Sequence, residues 1–135
     1  MRRFLRLGVL RALAFLVVLA PGASAEPPTT VKVAQDLARA HAAWPAGREW
    51  LSLNRPNTDR LVVPVLNRCL PDAPDGELTA FSIYVRLSQK GKVLEVVTEI
   101  DAALGRCMTT EAREVQLPEA PRNDFWIQLN LAAML

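Results

Sequence analysis

Between residues 81 and 131 apolar and polar side chains alternate in two rhythms. Phe81, Ile83, Val85 and Leu87 fall on one side of an extended segment, with Ser82, Tyr84 and Arg86 on the other. That period of two marks a strand with one buried face. Residues 88–92 are polar and include Gly91, which can take positive φ, so they read as a hairpin loop. The returning strand over 93–100 is expected to place Leu94, Val96, Thr98 and Ile100 on one face, with Glu95 and Glu99 lining the other and Val97 between them. Asp101 stands where a helix N-cap belongs. Leu104, Cys107 or Met108, Glu111 or Ala112, and Val115 then recur at helical spacing. This helix stops by Leu117, because Pro118 disfavours helical backbone in the residue before it. After the stiff connector 118–121, residues 124–131 alternate again, with Phe125, Ile127, Leu129 and Leu131 opposed to Trp126, Gln128 and Asn130. The pattern predicts an α+β fold: a β-β-α-β unit whose helix lies over one face of a three-stranded antiparallel sheet.

The first half of the chain is less regular. Thr30 caps a predicted helix over 31–43 that carries Val33, Leu37, Ala40 and Trp44 on one side, and Pro45 ends it. Ala46-Gly47 reads as a turn, 49–53 as a short strand or irregular segment, and 54–57 as another turn. From Thr58, Leu61, Val65 and Cys69 repeat every four residues with Val62 and Leu66 alongside, which favours a helix over the competing strand through 61–63. Pro64 either starts a shorter helix or kinks a longer one. Residues 71–76 form a turn-rich loop into the first strand. The organisation expected is a leader over 1–25, a helical extension over 26–57 and an α+β domain over 58–135.

The order of elements over 58–131, with the glycine and valine of the hairpin (Gly91, Val93), the cysteine in the following helix (Cys107) and the prolines before the last strand (Pro118, Pro121), resembles the C-terminal domain of TonB-type periplasmic energy transducers. It is most similar to their cysteine-containing branch, in which an earlier helix ends with a cysteine shortly before the first strand, the place held here by Cys69. The resemblance implies a periplasmic protein-binding domain that engages extended peptide segments at a sheet edge. It does not extend to a retained membrane anchor or a long proline-rich spacer, so energy transduction is not expected.

Composition changes the picture mainly at the N-terminus. Arg2, Arg3, Arg6 and Arg11 precede an apolar run over 12–20, then Pro21-Gly22 and Ala23-Ser24-Ala25, the organisation of a signal peptide cleaved before Glu26. The rival reading is an uncleaved anchor, for which the run is short. Cleavage leaves no membrane span and removes four of the 16 basic residues, leaving 12 against 14 acidic ones, a net of −2. No basic, aromatic-interleaved patch remains to bind nucleic acid. Export and an even cysteine count point to a periplasmic location and a disulfide between Cys69 and Cys107.

Candidate chemistry is sparse. His41 is the only histidine and has no nucleophile or carboxylate at helical spacing, so it reads as structural. One histidine and two paired cysteines leave no zinc ligand set, and no metal or cofactor is expected. Glu95 and Glu99 lie four residues apart along one strand, roughly 13 Å, too far for a glycosidase pair. No serine sits in a nucleophile elbow and no glycine loop cradles phosphate. A non-enzymatic adaptor is therefore expected, holding an envelope protein partner or a second copy of itself. Its contacts would be the last strand's edge or a face presenting Tyr84, Arg86, Trp126 and Gln128, unless the N-terminal helix covers that face. The alternative is an exported inhibitor or accessory subunit of an envelope enzyme, acting through the loop at 71–76.

Overall fold

A computed structural model of the chain describes residues 28–72, 81–100 and 103–131. The expected leader, most of the 71–76 loop and the Asp101 cap lie outside the described residues. Two helices, α1 (Val31–Ala43) and α2 (Pro45–Cys69), lead through a single 3-10 turn (Leu70–Asp72) towards the strands β1 (Ser82–Leu87) and β2 (Val93–Thr98). Helix α3 (Ala103–Ala112) and strand β3 (Phe125–Asn130) follow. The sheet order is β2-β1-β3 and both pairings are antiparallel, so the α+β architecture is as expected, with β1 at the centre.

The two faces of the sheet are covered from different parts of the chain. Ile83, Val85, Leu87, Phe125, Ile127 and Leu129 point into the main core, where they meet Trp50, Val62, Val65, Leu66 and Cys69 of α2 and Leu104 and Met108 of α3. On the other face α1 lays Ala34 and Ala38 against Tyr84 and Trp126. The stripe of Val33, Leu37, Ala40 and Trp44 faces away from the sheet. Val33, Leu37 and Trp44 are 49, 37 and 39% exposed, and Ala40 is exposed beside them. Only alanines let the helix backbone approach a sheet surface already filled by a tyrosine and a tryptophan. Thr30 caps α1 as expected, its hydroxyl accepting from the Val33 amide at 3.3 Å.

Helix α2 is the larger departure. The expected irregular segment at 49–53 and turn at 54–57 are instead part of one helix that runs unbroken from Pro45 to Cys69, so the expected boundary at residue 57 falls inside it. Pro56 and Pro64 both lie within it and both are exposed. Each removes the amide that would bond the carbonyl four residues back, those of Ser52 and Arg60. Ser52, Pro56, Arg60 and Pro64 share the solvent side, so water can satisfy the freed carbonyls. The buried side is held by Trp50, Thr58, Val62, Val65, Leu66 and Cys69, with Thr58 donating its hydroxyl to the Asn54 carbonyl at 3.0 Å.

The β1–β2 hairpin carries a bulge. Arg86 pairs with Glu95 but Leu87 pairs with Val93, which leaves Leu94 without a partner. Val93 therefore enters the core, 5% exposed, while Leu94, expected there, is 38% exposed. At the hairpin tip Gly91 takes φ 79°, its amide bonds the Ser88 carbonyl at 2.9 Å, and its carbonyl accepts from Leu117 at 3.0 Å. The segment after α3 is thereby tied back to the tip, reinforced by the Ala120 amide donating to the Gln89 carbonyl at 2.9 Å. A side chain at Gly91 would collide with the Leu117 carbonyl oxygen.

Cys69 at the end of α2 and Cys107 in α3 are joined by a disulfide, with a Cα–Cα separation of 5.6 Å. It closes a loop of 38 residues in sequence. For a loop of that length the chain-entropy account gives up to about 4 kcal/mol, and urea unfolding with and without reductant is expected to show a loss of that order. Gly91→Ala should cost at least about 1–2 kcal/mol for the left-handed backbone alone, with the Leu117 collision added. The same unfolding titration checks it.

Candidate functional site

The four side chains expected to form a partner face are not presented together. Tyr84 is fully buried and Trp126 is 4% exposed, both beneath α1, so this face is not an open aromatic patch. Arg86 is mostly enclosed and committed to two carboxylates, Asp124 at 2.8 Å and Glu95 at 3.3 Å. Gln128 is exposed and donates to the Ser82 hydroxyl at 3.0 Å. Glu95 and Glu99 serve separate partners, since Glu99 accepts from the Tyr84 hydroxyl at 3.3 Å. Burial, with the Glu99 carboxylate second, raises the Tyr84 pKa above its ordinary value and keeps the phenol neutral.

With both faces of the sheet occupied, its margins are what remain, and the outer edge of β3 is one of them. The Leu131 amide donates to the Phe81 carbonyl at 3.0 Å, which makes 131 and 81 a hydrogen-bonded pair. Alternation along an antiparallel ladder then turns the amides and carbonyls of Phe125, Ile127 and Leu129 towards β1. Those of Trp126, Gln128 and Asn130 point away from the sheet. Among the described residues only one of these outward groups has a partner: the Trp126 amide donates to Nδ1 of His41 at 2.8 Å. Among the described residues the backbone donors and acceptors of Gln128 and Asn130 have no partner on the edge.

This edge forms the floor of a groove of about 380 Å³. One wall is α1, through Ala38, Arg39 and Ala42. The other is α2, through Trp50, Leu51, Arg55, Thr58 and Asp59, while Ile127, Gln128, Leu129 and Asn130 line the bottom. Trp50 is fixed in place: its indole donates to the Glu119 carbonyl and its ring meets Phe125 edge-on at 5.2 Å. The walls are set by the corner between the helices, where Gly47 lies so close to the His41 carbonyl that any Cβ there would overlap it.

His41 holds the first outward amide of this edge, that of Trp126. Its ring stacks on Phe125 with centroids 5.5 Å apart and planes inclined by 14°. Burial, and then the nearby Arg122 cation, lower its pKa below 6.5. A nitrogen that accepts an amide proton also cannot hold one of its own, so the contact requires the neutral ring. Sequence spacing could not show this role, because His41 and Trp126 are 85 residues apart. Among the described residues no group of His, Cys, Asp and Glu could hold a metal ion, and no helix is long and apolar enough to cross a membrane. Compared with protein-family models, with curated proteins and with solved structures, the chain matches none of them.

The His41 contact has a pH signature. Because its folded pKa is lowered, its contribution to stability is full above about pH 6.5, the ordinary histidine value. It is lost as pH falls through the lowered folded value. The difference in urea midpoint between the native chain and His41→Ala should therefore shrink between pH 7.5 and pH 5.

Proposed function

We propose that this protein is a small, exported, non-enzymatic binding module that accepts an extended segment of an envelope protein as an additional strand beside β3. The single observation that carries this reading is the pair of residues Gln128 and Asn130. Their backbone groups are unpaired among the described residues and face a groove walled by two helices. An added strand gains main-chain hydrogen bonds from such an edge and selectivity from pockets on either side. A groove of this kind also protects the edge, since a flat exposed one would invite indiscriminate pairing. The resemblance of residues 58–131 to TonB-type domains supports the same mode of recognition, and the leader over 1–25, with the disulfide, supports a periplasmic site of action. The domain is read as a receiver of peptide, without the energy-transducing role.

Gln128→Pro tests this directly. The Gln128 amide points away from β1, so proline there removes an edge donor without removing a bond of the existing ladder. The variant should keep the native unfolding midpoint to within about 1 kcal/mol of stability. It should lose the cross-linked adducts that a photoreactive side chain at Asn130 forms in intact cells. A photoreactive side chain at Leu53, exposed on α2, reports background capture. Adducts at Asn130 that persist in a folded Gln128→Pro chain would rule the edge out.

A further inference from the structure

The walls of the groove say something about the segment it would receive, given the edge-binding reading above. Two arginines overlook the β3 edge, Arg39 from α1 and Arg55 from α2, with Asp59 as the one acidic residue lining the groove. Among the described residues none of the three is in an ion pair: the pairs formed are Lys32–Asp36, Arg68–Glu111, Arg86–Glu95 and Arg86–Asp124. Arg55 and Asp59 have the same i,i+4 spacing as Lys32 and Asp36, which close to 2.9 Å, yet they do not meet. The groove therefore carries a net positive charge, delivered from both walls.

The positions of the two walls add a geometric condition. Helix α1 covers the sheet face that bears Tyr84 and Trp126, and α2 covers the face that bears Ile127 and Leu129. Successive side chains of a strand point to opposite faces. A strand laid along β3 thus presents neighbouring side chains to different arginines, and side chains two apart to the same wall. His41 holds the Trp126 amide, so the usable edge starts at Gln128 and runs through Asn130. That is room for a short match.

We infer that the segment received at this edge is acidic, with carboxylates at two adjacent positions, one met by Arg39 and the other by Arg55. The apolar part of the α2 wall, Trp50 and Leu51, sits beside the second of these positions and suits an apolar neighbour two residues along.

The test uses three capped synthetic octapeptides of threonine, valine and two variable residues. One carries Asp-Asp at adjacent positions, a second carries Asp at alternate positions with the same composition, and a third carries Asn-Asn in place of the adjacent acids. Each is titrated at low salt into the disulfide-intact mature chain, with the backbone amide signals of Gln128 and Asn130 followed by NMR. An exposed ion pair is worth roughly a threefold change in affinity, so the adjacent-Asp peptide should bind about threefold tighter than its alternate isomer and roughly tenfold tighter than the Asn peptide. Arg39→Gln with Arg55→Gln should bring all three together, and both residues are exposed, so the fold is expected to stand. Equal binding of the two Asp isomers overturns the two-walled clamp, and equal binding of Asp and Asn peptides overturns the acidic choice, while in both cases the edge reading survives. If no peptide moves the Gln128 and Asn130 signals, it is the edge reading itself that falls.

Discussion

A three-stranded sheet has one strand whose backbone is satisfied on both sides, and here that strand is also buried on both faces. β1 bonds to β2 and β3, carries Ile83, Val85 and Leu87 into the main core, and turns Tyr84 under α1. Once helices lie above and below, the sheet has no surface left to offer except its margins. The margin along β2 is partly occupied where the chain after α3 returns to the hairpin through Lys92 and Gln116. The margin along β3 is enclosed by helix walls, and beyond the Trp126 amide its hydrogen bonding is open among the described residues. What that margin offers is a few backbone groups, those of Gln128 and Asn130.

The histidine gives that margin a defined beginning. By taking the Trp126 amide it removes one rung and anchors the last turn of α1 to the first residues of β3. The stack on Phe125, itself in contact with Trp50, links the same ring to the opposite wall. One side chain of α1 thus touches β3 twice, through the Trp126 amide and the Phe125 ring. Its neutrality follows from burial and then from the arginine nearby, and it leaves Nδ1 free to accept the amide.

What could be read from the sequence follows from how strongly each residue reports its surroundings. The strands are legible because β-branched and aromatic residues alternate at period two, and the disulfide because two cysteines allow a single intramolecular pairing. Leu94 was misplaced because a bulge shifts the phase of the alternation by one residue, and no side chain announces it. The helix through Pro56 and Pro64 was hidden by prolines that break a helix in general but are tolerated where both freed carbonyls face water. Helix α1 shows in the pattern, but its buried side does not, since hydropathy ranks Val33 and Leu37 above the alanines that steric closeness selects. The β3 edge was nameable from topology alone. The burial of Tyr84 and Trp126 was not, because periodicity defines a face without saying what lies on it. Nor could spacing reveal that Arg39 and Arg55, on separate helices, face one another across a strand.

The cross-link between Cys69 and Cys107 has a mechanical corollary. The covalent ring it closes contains β1 and β2, but β3 lies beyond it, 18 residues further along the chain at its nearest end. A load applied to β3 by anything attached there would be borne first by its ladder to β1 and by the packing of the two helices. The stapled part would stay intact while the outer strand peeled, so the molecule separates a durable frame from a component that can yield.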